Sequence, residues 1–485
     1  MLRPPLRPLV FTLMYAASSG AVRADQPGPT ALPGKRVSDR TNILLITADD
    51  LNYDSLGVTG SKIPGVTPNI DRLASQGMRF TQGYVTIAVC QPCRSVWMTG
   101  RYPHRNGAEG FEPIDENVPT LGESLRRAGY VNGILAKVEH LKPQDKFCWD
   151  FVIEGRHLAH GRSPELYYQQ AKAFFQKAAV EGRPFFLMAN SQDPHRPFAG
   201  SEQERQRVGF PGPRARPSRT YQPDGIEIPC FLPELPDVRL EMAEYFTSVH
   251  RCDETVGKLL QALEEAGLAD QTLVMFMSDN GMALPFAKTN CYRASTRTPW
   301  IVRWPGKVKP GTVDSRHMIS GIDLMPTLLA ALRLPPIEGM DGRSLLPVLE
   351  GRNQEDRDRV FTVFHTTAGK GDYPMRSVQD HRFGYIFNAW ADGKTEFRNE
   401  SQSGLTMKAM SAAARTDEAV AARVKHFIYR APEEFYDYET DPCALKNLID
   451  DPRHRSRIEA FRKELHQWML AVKDPLLAKY ETRLP

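Results

Sequence analysis

Four apolar runs of strand length, each cut off by a polar cluster, constrain the fold of this chain more than any other feature. Asn42-Ile43-Leu44-Leu45-Ile46-Thr47 ends in Ala48-Asp49-Asp50, and Tyr130 to Ala136 is followed by Lys137 and His140. Pro184-Phe185-Phe186-Leu187-Met188-Ala189-Asn190 leads into Asp193-Pro194-His195-Arg196-Pro197, and Thr272-Leu273-Val274-Met275-Phe276-Met277 leads into Ser278-Asp279-Asn280-Gly281. Runs without polar alternation suit strands buried on both faces, the habit of parallel sheets. Helix signals separate them. Thr67 to Gly77 offers an N-cap, Pro68 at the first position, an apolar stripe at Ile70, Leu73 and Ala74, and a terminating glycine. Thr120 and Glu123 form a capping box ahead of a helix that stops at Gly129, and a long helix is predicted from about Leu240 to Gly267. The alternation predicts an α/β fold, a mostly parallel sheet with helices on both faces. Each polar cluster then falls at the carboxyl end of a strand, where open α/β sheets place ligands.

At 485 residues the chain predicts one large domain over 41–355 and a smaller α+β domain over 356–485, divided at the linker-like stretch Glu350 to Asp358. Arg3 and Arg7, the apolar stretch Leu9 to Ala17 and the small-residue site Val22-Arg23-Ala24 read as a signal peptide over 1–24, followed by a flexible lead-in over 25–40. The expected protein is exported, to a periplasm, the medium or, in a eukaryote, a lysosome. No later segment predicts stable membrane insertion. A formal charge of +4 with dispersed Lys and Arg gives no nucleic-acid footprint, and nothing in the sequence speaks to oligomeric state. Cysteines stand at 90, 93, 148, 230, 252, 291 and 443. They are too few and irregular for a disulfide scaffold, and Cys148, Cys230, Cys252, Cys291 and Cys443 read as small buried residues with room for one bridge among them. One N-x-S sequon lies at Asn399 to Ser401.

Cys90-Gln91-Pro92-Cys93-Arg94, followed by Thr99-Gly100-Arg101, carries the chemistry. A C-x-x-C pair ordinarily suggests metal or redox work, but Pro92 stiffens the turn and Arg94 adds a planar permanent cation suited to a tetrahedral oxyanion. Asp49, Asp50, Asp279 and Asn280 offer hard oxygen donors that suit calcium or magnesium better than zinc, although either pair alone reads as a turn or cap. Lys137, His140, His195 and Lys288 all follow strand ends, and with Arg94 the lysines would form a cationic ring that holds and polarises an oxyanion.

These residues resemble the type I sulfatases of the alkaline phosphatase superfamily. The resemblance rests on C-x-P-C-R-x-x-x-x-T-G at Cys90 to Gly100 and extends to Glu434-Phe435-Tyr436-Asp437 and Asp441-Pro442 to Asn447-Leu448. Within the family the chain is most similar to the heparan N-sulfatase (sulfamidase) branch, through Asp193-Pro194-His195-Arg196, Thr289-Asn290-Cys291-Tyr292 and Tyr373-Pro374-Met375-Arg376-Ser377-Val378. The resemblance implies an alkaline-phosphatase-like fold and oxidation of Cys90 to 3-oxoalanine (Cα-formylglycine) by a separate formylglycine-generating enzyme. It implies one Ca²⁺ held by Asp49, Asp50, Asp279, Asn280 and the modified Cys90, and a sulfate site of Arg94, Lys137, His140, His195 and Lys288. Two departures stand out. Ala136 replaces a common glycine, and Lys137 to His140 is one residue longer than the usual spacing.

The implied activity is sulfate hydrolysis on a sulfated glycan, with N-sulfoglucosamine of heparan sulfate or heparin as first choice. A 2-O-sulfated uronate or 6-O-sulfated hexosamine is the alternative. His365 and Arg376 are the expected sugar contacts, and His195 or Lys288 the proton donor to the leaving group. A phosphodiesterase or phosphonate hydrolase would more typically offer Ser or Thr as nucleophile and a second set of metal ligands. A non-catalytic glycan-binding protein would have no need of nucleophile, metal and cation positions together.

Overall fold

Strands that bury both faces need neighbours on both edges and cover on both sides, and the sheet built from the apolar runs supplies them. The computed structural model describes residues 40–206 and 215–484; the signal peptide expected over 1–24 and the lead-in expected over 25–40, apart from Arg40, lie outside the described residues. In chain order the strands are β1 (Asn42–Asp49), β2 (Met78–Phe80), β3 (Gly83–Tyr84), β4 (Val131–Leu135), β5 (Phe151–Ile153), β6 (Phe185–Pro194) and β7 (Thr272–Ser278). They continue with β8 (Trp300–Arg303), β9 (Thr312–Asp314), β10 (Ile319–Ser320), β11 (Val360–Thr366), β12 (Asp372–Gln379), β13 (Phe383–Asn388) and β14 (Glu433–Asp437). Eight form one sheet in the order β5-β4-β6-β1-β7-β8-β2-β9, parallel except where β8 pairs with β7 and β2. β1 sits at its centre, every residue buried, with Ile43 to Thr47 paired in parallel to Phe186 to Asn190 on one side and to Leu273 to Met277 on the other. Helices flank this sheet, the longest being Pro236–Glu265.

The C-terminal region makes a second, antiparallel sheet in the order β11-β12-β13-β14. The boundary expected near residue 355 falls just ahead of β11, yet both sheets share one continuous apolar core within a single compact unit from Arg40 onward. The segment entering Cys90 is tied directly to the second sheet. Ile87 bridges to Val363 of β11, and the Val363 amide donates to the Thr86 carbonyl at 2.8 Å.

The helix signals hold with one change of partner. Thr120 and Glu123 form the expected capping box of Leu121–Arg127. Thr67 does not cap Pro68–Ser75; its hydroxyl accepts from Gly57 N and donates to Asp71. The free amides of Asn69 and Ile70 go instead to the Asp253 carboxylate, a long-range cap no local pattern announces. A single disulfide, Cys230–Cys443, spans a sequence separation of 213, and the other five cysteines are free and buried.

Candidate active site

The polar clusters converge because β4, β6, β1 and β7 lie side by side in parallel and open their carboxyl ends on one edge of the sheet. Short cross-links fix them. The Asp50 amide donates to Asp279 Oδ1 at 3.1 Å and the Leu51 amide to Ser278 Oγ at 2.9 Å. Gly281 has to be glycine, because a Cβ there would lie 2.2 Å from the Ala294 carbonyl oxygen and 2.5 Å from that of Ala287. Asp50, Ala136 and Lys137 take φ of 68°, 58° and 55°, left-handed conformations of the kind that cluster where a site dictates the backbone.

Cys90 opens the helix Cys90–Thr99 and faces a cavity of about 530 Å³ lined also by Phe111, Lys288, Tyr373, Arg398 and Glu400. One turn on, Arg94 is fully buried. It donates to Thr47 Oγ1 at 2.8 Å, Asn190 Oδ1 at 2.6 Å and Asp279 Oδ2 at 2.7 Å. Lys137 contacts Asp49, and Lys288 lies 2.7 Å from Asp50 Oδ1 while also contacting Glu400. Each buried carboxylate thus has its own cation. Burial pushes the Asp49 carboxyl up, but the charges of Lys137, His195 and Arg94 outweigh it and hold Asp49 well below the carboxylate range. Burial, then the charge of Asp49, drives Asp279 well above that range, and burial raises Asp50. Burial also pushes the Cys90 thiol well up, with Asp49 adding to it, so the unmodified sulfur is a poor thiolate.

The two histidines differ. Burial, then Lys137 and Arg94, pushes His140 well below its ordinary value, so it stands neutral, with Nδ1 unpartnered and its ring edge-on to Phe111. His195 Nδ1 lies 2.6 Å from the Arg196 carbonyl and donates to it, which leaves Nε2 to face Asp50 Oδ2 at 3.9 Å. Buried ion pairs hold this loop in place. Arg251 pairs twice with Asp193, at 2.7 and 2.9 Å, and Arg162 donates to the His195 carbonyl.

The donor set suits one hard dication. Oδ1 of Asn280 is buried without a hydrogen bond, Asp49 is met by the charges of Lys137 on Oδ2 and of Arg94 at 3.9 Å from Oδ1, and the ligand oxygens of Asp49, Asp50 and Asp279 lie within 4.8 Å of one another. Orphaned buried acceptors are costly unless a cation meets them. Oxygen-only donors of this kind fit calcium.

Comparison with known proteins decides the family. The sulfatase family model matches residues 41–334, and the model described as N-sulphoglucosamine sulphohydrolase, C-terminal, matches 283–421. This chain is a sulfatase. It is 32% identical over 468 residues to N-sulphoglucosamine sulphohydrolase of Homo sapiens, covering 90% of this chain and 91% of that protein. It is 27% identical over 484 residues to an ulvan-active sulfatase of Formosa agariphila, covering 90% and 76%. A structure described as a complex with its substrate D-glucosamine-2-N,6-O-disulfate matches the fold with a TM-score of 0.68 at 18% identity, covering 90% of this chain and 99% of that one. The phosphonate monoester hydrolase of Agrobacterium radiobacter shares the fold at a TM-score of 0.63 and 20% identity, covering 91% and 96%.

In this sulfatase the structure brings Asp49, Asp50, Cys90, Arg94, Lys137, His140, His195, Asp279, Asn280 and Lys288 to one place. It gives His365 and Arg376 different places from those expected of sugar contacts. Arg376 is fully buried, with its guanidinium on both carboxylate oxygens of Asp474, and His365 Nδ1 lies 3.2 Å from Glu109. Neither lines the cavity, whereas Thr367 to Gly371 between their strands does. An arginine in mid-strand β12 with a buried acid within reach becomes a structural pair rather than a ligand contact. Glu400 gives no signal in the sequence, hidden as it is in the Asn399 to Ser401 sequon. The Asn399 side chain of that sequon is committed to Thr289 Oγ1 at 2.5 Å on the cavity wall.

Proposed function

We propose that this sulfatase removes the N-sulfate from glucosamine residues of heparan sulfate or heparin. Cys90 is converted to Cα-formylglycine by a maturation enzyme, and one calcium ion is held by Asp49, Asp50, Asp279, Asn280 and position 90. The observation that supports this reading is the one-to-one pairing of Arg94, Lys137 and Lys288 with Asp279, Asp49 and Asp50 at the strand ends, with Lys288 and Cys90 on the cavity wall. As an aldehyde hydrate, position 90 would supply one hydroxyl to attack sulfur and a second to expel sulfate, which a serine lacks. Calcium, when bound, would polarise a sulfuryl oxygen.

The chain's own groups do the rest. Arg94, Lys137 and Lys288 orient the anion, and neutral His140 offers a ring nitrogen to it. His195, its Nδ1 proton committed to a carbonyl, carries the mobile proton on Nε2 for the leaving group. With a dication bound and all four carboxylates ionised, Glu400 included, the three cations, the dication and the carboxylates would sum to one net positive charge. That matches a sulfamate or sulfate ester, each a monoanion, and falls short of a phosphate monoester dianion. The similarity to human N-sulphoglucosamine sulphohydrolase, present in both matched regions, favours the sulfamate. The Cys230–Cys443 disulfide supports an oxidising, exported location.

Two measurements test the reading. Mass spectrometry of the Cys90 peptide, from a host with a maturation enzyme, is expected to find the aldehyde; cysteine alone would remove the mechanism. Incubation with glucosamine N-sulfate beside O-sulfated sugars is expected to release sulfate from the former. Release only from O-sulfated sugars would reassign the substrate.

A further inference from the structure

Among the described residues that line the Cys90 cavity, Glu400 is the one carboxylate. A bare carboxylate works against binding an oxyanion, so its position asks for a reason. One of its oxygens contacts Lys288 Nζ; the other, Oε2, lies 3.7 Å from His195 Nε2. The fold fixes it there. Asn399 and Gln402 form a capping box around Glu400–Ser403, with the Asn399 amide 3.1 Å from Gln402 Oε1, and Asn399 Nδ2 ties the turn to Thr289.

A leaving atom that takes its proton from His195 Nε2 sits about 3 Å from that nitrogen, and one on the Glu400 side of the imidazole comes within hydrogen-bond reach of Oε2, which is 3.7 Å from the same nitrogen. Sulfamates and sulfate esters differ at this atom. In R–NH–SO₃⁻ the bridging nitrogen carries an N–H that a carboxylate oxygen accepts, whereas in R–O–SO₃⁻ the bridging oxygen turns only lone pairs toward it. Cleavage widens the difference. The S–N electron pair stays on nitrogen, one proton from the acid gives R–NH₂, and a second proton from water gives R–NH₃⁺. An alcohol leaves with one proton and no charge.

We propose that Glu400 selects nitrogen over oxygen at the bridging position, accepting the sulfamate N–H in the bound substrate and pairing with the ammonium of the released amine. The proposal rests on the sulfamate reading of the site. It makes the acidic intrusion into a cationic site a specificity element, because a carboxylate left facing a lone pair penalises the wrong substrate.

Wild-type protein and Glu400→Gln are compared on glucosamine N-sulfate and on 4-nitrocatechol sulfate, both proteins matured at Cys90. The ratio of kcat/KM for the N-sulfate to that for the O-sulfate is expected to fall about tenfold or more, with Glu400→Asp recovering part of it. Equal losses on both substrates would overturn the proposal and leave Glu400 a positioning residue for Lys288. A second arm needs no turnover. Unmatured protein at about pH 6, where glucosamine is an ammonium ion, is titrated calorimetrically with glucosamine and with N-acetylglucosamine. Tighter binding of glucosamine by the wild type, lost in Glu400→Gln, supports the proposal; no preference overturns it. Failure of the sulfamate reading itself shows separately, as a wild type that keeps the amine preference but releases no sulfate from glucosamine N-sulfate.

Discussion

Two fully buried carboxylates, Asp49 at the end of β1 and Glu434 on β14, live in opposite circumstances. Glu434 is satisfied by the protein. It accepts from the Tyr292 hydroxyl at 2.7 Å, the Tyr436 hydroxyl at 2.5 Å and Asn388 Nδ2 at 2.7 Å, with His426 Nε2 at 3.3 Å. Burial pushes its carboxyl up, but the His426 charge and these bonds hold it at about 2. Asp49 is held chiefly by charge, with Lys137 on Oδ2 and Arg94 3.9 Å from Oδ1, in place of a full set of hydroxyl and amide donors. On the proposed reading the contrast separates a polar group retained for structure from one retained for a ligand: the first has its hydrogen-bond partners in the chain, and the second, met there mainly by charge, keeps lone pairs open to a metal ion.

The largest effect that sharpens this contrast is confined to the ligand side. Cys90→Ser is expected to lower the rate of sulfate release from glucosamine N-sulfate by about 10³-fold or more, because a serine can attack but cannot expel sulfate by elimination. Its thermal midpoint should stay at the wild-type value, and a variant that turns over normally would break the assignment of position 90. Calcium comes next. Chelation is expected to abolish activity and lower the thermal midpoint, and calcium restored at 100 times its Kd should return about 2.7 kcal/mol. A midpoint indifferent to calcium would place the oxygens of Asp49 and Asn280 outside any metal site.

On the structural side, Glu434→Gln is expected to cost about 3 kcal/mol near neutral pH, read by urea unfolding, while sulfate release per folded molecule holds. The pH dependence has a definite sign. A carboxyl held at about 2 in the fold, against an ordinary 4.5, gives stability fully present above pH 4.5 and lost as the pH falls toward about 2. The depression corresponds to about 3 kcal/mol. The wild type should lose that increment on acidification, and Glu434→Gln should show a correspondingly flatter acid limb. An unchanged acid limb would mean that the partners of Glu434 do not satisfy its charge.

The ligand side of the comparison is the one legible in the sequence. Parallel strands buried on both faces announce themselves as apolar runs, and the residues after each run are the site, so Asp49, Lys137, His195 and Asp279 can be read from position alone. The other contributors come from long-range packing. Asp253 caps a helix far from it in sequence, Arg376 finds Asp474, and Glu400 reaches Lys288 from a loop of the second region. None of these belongs to a local period or motif. For the β11–β12 hairpin the two residues singled out in the sequence lie off the cavity, while the turn that joins their strands lines it. In this antiparallel pair Arg376 turns to the buried Asp474 and His365 to the part-exposed Glu109, and the turn between the strands meets the cavity.

The smallest test probes the backbone under the ligand side. Ala136 takes φ 58° immediately before Lys137, which takes 55°. The alanine that stands here in place of the common glycine therefore matters for conformation: a side chain in the left-handed region costs about 1–2 kcal/mol. Ala136→Gly relieves that strain and gives back part of the gain through greater freedom of the unfolded chain. A net stabilisation of about 0.5–1 kcal/mol is expected, measurable by urea unfolding of the full chain. Because no carboxylate or cation changes place, the calcium response of the thermal midpoint should survive intact. Destabilisation would show instead that the Ala136 methyl, 3.8 Å from the position a Cβ on Gly155 would take, packs more favourably than its backbone is strained.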